Sequence, residues 1–367
     1  MSMGESDRGG KAIGVESMVD RVISTGKAAV KQVDAGHIRR FIENQADVTG
    51  PVTIENVRGS GGVGASSGLI LFSATYDGGN GPVTRQLVLR HAPGSDKRLF
   101  FEYDLGRQFT VQRALQGTGA PVPRPLWLDA QGEWLGVPGY VMEFCPGVAP
   151  HPSAFVRGPL AEASNADRAR MIDEVMSALV KIHTTDIKAR GLENFEMNAP
   201  GDSPMRRCVN WYWKTWEWVR VPQHERLVPI HRWLLEHAPN GEPELMHGDS
   251  TLHNYLFHEQ RLVAIVDWEM SALGRAEADI ALQCVGNELF AVPKESGALQ
   301  PPTDAEWIAL YRRAGGRPMQ DFQYFKKFAA YMIVVAVSAL QRNMTPEMAA
   351  TQEPLLQPLW RMLEAGT

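Results

Sequence analysis

The side chains best suited to chemistry in this 367-residue chain lie in His247-Gly248-Asp249-Ser250-Thr251-Leu252-His253-Asn254 and, after the apolar stretch 262–266, in Asp267-Trp268-Glu269. Asn254 follows Asp249 by five positions and Asp267 follows it by eighteen. That spacing is the layout of a phosphoryl-transfer centre. One carboxylate, Asp249, accepts or orients a substrate hydroxyl, while an amide oxygen and a second carboxylate hold magnesium against nucleotide phosphates. Asn254 and Asp267 supply hard oxygen donors of the kind Mg2+ prefers. His247 is read as bracing the loop through hydrogen bonds rather than as an acid or base. Eight such residues alone could be a polar turn; the further elements expected of such a centre, in the required order, make coincidence a poor explanation.

Those elements lie upstream. Asp34 is a candidate N-cap for a short helix with Ile38, Phe41 and Ile42 on one face. Residues 52–58, 68–76 and 86–90 read as strands, the first two joined by the glycine-rich segment Gly59-Ser60-Gly61-Gly62-Val63-Gly64-Ala65-Ser66-Ser67-Gly68. This segment matches the G-x-G-x-x-G fingerprint, but a dinucleotide site needs a helix next, and Leu69-Ile70-Leu71-Phe72-Ser73-Ala74-Thr75-Tyr76 favours a strand. A P-loop needs lysine where Ala65 stands. A glycine hairpin covering nucleotide phosphates fits better. A helix is expected over 101–115, then the turn-rich Pro121-Val122-Pro123-Arg124-Pro125, then a strand over 139–144. The remainder reads as mostly helical. Ser164 to Asp167 offers a capping-box start, Thr303 and Glu306 a second, and the segments 256–257 and 262–266 a hairpin.

In this arrangement the chain resembles the aminoglycoside phosphotransferase-like, or choline kinase-like, family of small-molecule kinases. The resemblance covers about residues 35–350. It is strongest over 246–281, loosest over 150–240, and closest to the phosphotransferase domains of acyl-CoA-dehydrogenase-like proteins. It implies an α+β, protein kinase-like two-lobe fold: a tail and helix over 1–33, an antiparallel-sheet N-lobe over 34–145, and a mostly helical C-lobe over 146–367. ATP and Mg2+ are the implied cofactors. Gly61, Gly62 and Ser66 would cover the phosphates, and Arg90 would grip them where the family has lysine or, in some branches, arginine. Backbone groups of Glu143 and Cys145 would meet the adenine edge. Setting Arg107-Gln108-Phe109 against the family's Arg-Glu-aromatic places Gln108 where a glutamate would orient the cation; the alternative is Glu102, from an extended helix start. Asp279 would anchor the catalytic loop. Gly248 in place of the arginine of His-Arg-Asp, and Trp268-Glu269 in place of Phe-Gly, separate the chain from protein kinases.

Bulk properties agree with an enzyme of this kind. Hydrophobic residues at 44% and charged residues at 22% are ordinary globular values, and the net charge of −5 provides no basic field for nucleic acid or anionic membrane. The three cysteines, Cys145, Cys208 and Cys284, lack metal-ligand spacing and read as reduced thiols of a cytoplasmic protein. The first residues lack the apolar core of a signal peptide, and the thirteen apolar residues 328–340 suit a buried helix rather than a membrane span. The expected partner is a small hydroxylated molecule, with the protein a monomer or homodimer. Residues 196–236 contain Arg206, Arg207, Lys214, Arg220 and Arg226 without an acidic cluster, which favours a neutral or anionic acceptor over a polycationic aminoglycoside. Trp211, Trp213, Trp216 and Trp218, with Tyr212, are too widely spread around a helix to enter one core together. A catalytically silent nucleotide-binding module is the different-class alternative.

Overall fold

The computed structural model describes residues 33–366 apart from 60–67, 95–97, 221–223, 292–296 and 343. Helix α1 (Ala35–Glu43) starts where Asp34 accepts a hydrogen bond from the His37 N–H, and it buries Ile38, Phe41 and Ile42. Strands β1 (Thr49–Gly59), β2 (Gly68–Asp77), β3 (Pro82–His91), β4 (Pro125–Asp129) and β5 (Gly139–Glu143) form an antiparallel sheet in the order β1-β2-β3-β5-β4. The chain leaves the glycine-rich segment as a strand and not as a helix, so the structure excludes the dinucleotide fingerprint. Pro125 begins a strand at the sheet edge, where a missing N–H is tolerated, although its proline-rich approach reads as a turn.

Alternation along β3 decides what faces the cleft. Leu87 and Leu89 enter the core under α1, with Phe72, Trp127 and Val141. Val88 turns to the opposite face and packs with Tyr140, Met142 and Phe109. Arg90, two positions beyond Val88, shares that face and pairs across the ladder with Tyr140. Helix α2 (Leu105–Ala114), capped by Asp104, covers the same face. It begins four residues later than the expected 101, since Asp104 and not an earlier residue accepts the first-turn amide.

The C-lobe is built around α6 (Ala276–Leu289), in which every residue from Ala276 to Asn287 is buried. One side of it packs against α8 (Phe322–Gln341), which in turn carries α4 (Pro204–Val219) and α9 (Glu353–Glu364), with α5 (His224–Glu236) on α4. Its other side meets α3 (Asn165–His183) and α7 (Asp304–Arg313). Both expected capping signals form. Ser164 accepts from the Asp167 N–H, and Thr303 and Glu306 exchange both arms of a capping box. The apolar run 328–340 lies within α8 and faces the core; among the described residues no helix is long and apolar enough to cross a membrane.

Two short ladders aim the chemistry-bearing segments. β6 (Glu244–Met246) pairs with β9 (Ala272–Gly274), and β7 (Tyr255–His258) with β8 (Arg261–Ile265). The first ladder sets the start of the 247–254 loop beside the chain that follows Asp267. The second returns the chain from Asn254 to Asp267. Val148 and Phe257 exchange backbone hydrogen bonds of 2.8 and 3.0 Å, joining the segment after β5 to this hairpin.

The aromatic cluster divides as its helical spacing requires. Trp211, Tyr212 and Trp216 are buried in the α4 core, Trp213 stacks on His231 with centroids 4.3 Å apart, and Arg342 lies over Trp218. Trp216, fully buried against Trp360, should be the costliest of these to truncate. Trp216→Ala is expected to lose about 3–5 kcal/mol through lost transfer energy and a residual cavity. Thermal or denaturant unfolding followed in parallel with wild type checks this.

Candidate active site

The loop 247–254 is held from beneath by one carboxylate. Asp279, on α6, accepts the backbone N–H of His247 at 2.8 Å and of Gly248 at 2.9 Å. His183 lies 3.0 Å from the same carboxylate through Nε2 and 2.8 Å from the Tyr311 hydroxyl through Nδ1. Burial alone would raise the Asp279 carboxyl. The hydrogen bond and charge of His183, the His247 ring and the Gly248 amide outweigh it and hold the group below its ordinary value. One turn on, Gln283 donates to the Ser250 carbonyl, and Asn287 donates in turn to the Gln283 carbonyl at 2.7 Å. Asp279, Gln283 and Asn287 thus form a polar stripe at helical spacing along a helix otherwise buried among apolar groups.

Gly248 fits because nothing else would. Its φ is +86°, and a Cβ there would sit 2.0 Å from the Met270 carbonyl oxygen. This tight crossing of the two segments explains why glycine occupies the position of the protein-kinase arginine. His247 is fully buried; its Nδ1 accepts from the Asp249 N–H at 3.3 Å, so its Nε2 donates to the Val266 carbonyl at 2.9 Å. The ring is occupied at both nitrogens, a brace between the two segments.

Asp249 leaves this scaffold half-buried, with Oδ1 accepting from the Thr251 hydroxyl at 2.9 Å. Asn254 donates from Nδ2 to the Asp249 carbonyl at 2.8 Å, which leaves its amide oxygen as the atom available to a cation. The Val266 N–H donates to the Asn254 carbonyl at 2.9 Å, stitching Asn254 to the residue before Asp267. Asp267 adopts a left-handed backbone, φ +65°, at the head of the 3-10 turn Trp268–Met270. Its Oδ1 receives Arg90 Nη2 at 2.7 Å, and the same nitrogen lies 3.2 Å from Glu269 Oε2. Trp268, where a protein kinase has phenylalanine, is buried edge-on against His247, with centroids 4.6 Å apart.

Hydrogen bonds and an ion pair thus link Asp249, Asn254, the chain leading to Asp267, and Arg90 on the strand above into one constellation. Comparison with protein families matches residues 74–325 to the phosphotransferase enzyme family, known as APH. The chain belongs to this family.

Curated relatives of the phosphotransferase include acyl-CoA dehydrogenase family member 10 of Mus musculus, 29% identical over 274 residues, which cover 71% of this chain and 24% of that protein. Family member 11 of Homo sapiens is 29% identical over 231 residues, 60% of this chain and 28% of that one. The matches span only about a quarter of these relatives' length. Among solved structures, a provisionally assigned aminoglycoside phosphotransferase from Ralstonia eutropha superposes with a TM-score of 0.64 at 23% identity, covering 91% of this chain and 99% of that one. The hygromycin-bound aminoglycoside phosphotransferase APH(4)-Ia, in ternary complex with AMP-PNP, gives 0.54 at 17% identity, covering 91% and 100%. These likenesses establish the kinase-like two-lobe fold. With family membership, they make the chain a small-molecule phosphotransferase.

Other residues singled out in the sequence fall in different places. Gly61, Gly62 and Ser66 lie outside the described residues. Glu143 ends β5; its N–H donates to the Arg124 carbonyl at 2.9 Å and its carboxylate faces Arg85 at 3.3 Å. Cys145, just beyond, is half-buried, and no hydrogen bond engages its amide among the described residues. The two candidates for orienting Arg90 require correction, since neither hydrogen-bonds it. Glu102 lies ahead of α2, where its carboxylate accepts from Asn198 at 2.8 Å and from the Trp211 indole at 3.2 Å. Gln108 is buried, with its Oε1 lacking a partner. The carboxylates that hold Arg90 are Asp267 and Glu269. The three thiols are free, and burial raises all three, that of Cys208 to about 12, so none is an activated nucleophile.

Sequence reasoning missed His183, Tyr311, Gln283 and Glu269. Gln283 and Asn287 had a signal: polar side chains four apart within the otherwise apolar run 280–287. His183 and Tyr311 lie 128 residues apart and had none.

Two outcomes follow for the phosphotransferase. Gly248→Ala should displace the loop from Met270 and cost about 2 kcal/mol or more, seen as a lowered melting temperature. Asp279→Asn should cost about 2–4 kcal/mol at neutral pH, because an amide NH2 would face a backbone donor. The pH dependence has a definite sign. The unfolded carboxyl, near 3.9, takes up protons that the folded one resists. Its stabilisation is therefore full above about pH 4 and is lost as pH falls through the lower folded value. Melting curves across that window should fall less steeply for Asp279→Asn than for wild type.

Proposed function

We propose that the protein transfers the γ-phosphate of ATP to a hydroxyl of a small molecule. The observation that carries this reading is the linkage of Asp249, Asn254, Asp267 and Arg90 by hydrogen bonds and an ion pair within a kinase-like fold. Asp249 has one oxygen accepting from Thr251 and the other without a hydrogen-bond partner among the described residues. It is the group that takes the acceptor's proton as the new oxygen–phosphorus bond forms and the bond to the departing ADP breaks. Asn254 and Asp267 suit Mg2+ by donor type, and no group of three histidine, cysteine or acidic residues among the described residues could make a metal cage. The ion would therefore take its remaining ligands from phosphates and water, as Mg2+ usually does. It would supply charge neutralisation at the bridging phosphate oxygens. The AMP-PNP present in the ternary complex of APH(4)-Ia supports the choice of nucleotide.

The acceptor reading changes on one point. The basic residues of 196–236 are largely neutralised within the protein: Arg206 by Asp202 at 2.8 Å, Arg207 by Glu196 at 2.9 Å and Arg226 by Glu364 at 2.5 Å. Lys214 donates to the Asn198 carbonyl and lies over the Phe101 ring. Three of the five cations thus have carboxylate partners of their own, which weakens the argument from charge for an anionic acceptor.

The test is magnesium-dependent ATP consumption across a panel of sugars, aminoglycosides, aromatic alcohols and hydroxyacyl thioesters. Asp249→Asn should lower acceptor-stimulated turnover by about 10²–10⁴-fold while Mg–AMP-PNP still binds. Turnover that survives the substitution would remove Asp249 from the mechanism. Nucleotide binding without turnover across a wide panel would point instead to a silent binding module.

A further inference from the structure

Resting on that reading, we propose that Glu269 is the positioning residue for the phosphate-gripping Arg90, in place of the helix glutamate that kinases use. In the kinase layout a strand cation is aligned by a glutamate from the neighbouring helix, and that ion pair must form for activity. Here the helix is docked. Arg107 of α2 reaches the Phe195 and Ser271 carbonyls at 3.4 and 3.3 Å, and α2 packs against the 268–270 turn. The residue it brings is Gln108, which has no charge and does not bond Arg90. Gln108 Oε1 and Arg90 Nε are both buried without partners, so the neutral acceptor and the cationic donor do not meet. Glu102 is committed to Asn198 and Trp211 on the C-lobe.

The missing carboxylate comes from the other side of the cleft. Arg90 Nη2 is shared between Asp267 at 2.7 Å and Glu269 at 3.2 Å. A cation on Asp267 would compete with the guanidinium for that carboxylate's charge. An arginine 5% exposed and left without a carboxylate would carry a large desolvation penalty. Glu269, two residues on and placed by the turn that follows Asp267, can retain Arg90 when Asp267 is otherwise engaged. The chain thus moves the orienting charge from helix to turn: glutamine at 108 is matched by glutamate at 269.

The test uses the full-length protein and nucleotide binding, so no acceptor is needed. Dissociation constants for ADP in EDTA and for AMP-PNP with Mg2+ are measured by calorimetry for wild type, Glu269→Gln, Glu269→Asp and Glu269→Gln/Gln108→Glu, with melting curves to confirm folding. Glu269→Gln should weaken Mg2+–AMP-PNP binding on the order of tenfold, as expected for one lost charge-assisted hydrogen bond, and metal-free ADP binding less, since Asp267 then still holds Arg90. Glu269→Asp should lose less, and Gln108→Glu should recover most of the loss in the double variant. If Glu269→Gln does not fold, the smaller loss in Glu269→Asp and the rescue in the double variant decide the matter. A loss with Mg2+ that Gln108→Glu does not recover would make Glu269 a metal ligand and overturn the assignment. So would a folded Glu269→Gln that binds both nucleotides as wild type does. Wild type that binds neither nucleotide would instead sink the kinase reading on which the assignment rests.

Discussion

The 247–254 segment depends on a buried carboxylate on a buried helix. Asp279 has no solvent to stabilise its charge, so two backbone amides of the 247–248 turn and the His183 ring must do so. The same bonds deny that turn any other conformation. With His247 and Gly248 fixed, the His247 ring is set to span the Asp249 amide and the Val266 carbonyl, which brings the two carboxylate-bearing segments into register. The desolvation penalty of Asp279 and the order of the loop are therefore one constraint. Removing the charge would relieve the first and lose the second.

Much of this was legible before any coordinates. Caps at Asp34, Ser164 and Thr303 are local: donor and acceptor lie within four residues, and the sequence carries both. The strand at 86–90 was visible as a run of residue type, although which of its side chains face the cleft was not. The β7–β8 hairpin and the apolar α8 were likewise visible as runs of residue type. Glycine at 248 could be seen to break the protein-kinase pattern. The reason, a Met270 carbonyl 2.0 Å from where a Cβ would be, belongs to a contact between segments 22 positions apart.

What stayed hidden depends on partners distant in sequence. The strand at 125–129 was obscured because proline at a sheet edge reads as a turn, and the β6–β9 ladder because three residues carry no alternation. The pairing of the basic residues in 196–236 was hidden for the same reason. A count of cations along the chain does not show that Glu364, 138 residues from Arg226, closes one of the pairs. Arginine and glutamine at 90 and 108 could be seen to depart from the family's pairing. Where the compensating carboxylate stood could not be seen, since Glu269 lies 179 residues from Arg90 and beside a residue already assigned to the metal.

That arrangement bears on how the lobes communicate. With the orienting glutamate on the helix, an ion pair lies within the N-lobe, and swinging the helix switches the enzyme. With the charge on the 268–270 turn, the pair crosses from β3 to the C-lobe, beside Glu102 with Asn198 and Trp211 and beside Arg107 with the Phe195 and Ser271 carbonyls. Three polar bridges then tie the sheet and α2 to the catalytic segments. Displacing α2 would break carbonyl contacts but leave Arg90 with Glu269, so helix position is a weak lever on the phosphate-binding cation. Lobe separation would strip that cation of its buried carboxylates, a much larger penalty. The contact between sheet and C-lobe is thus tied to the pairing of one buried cation.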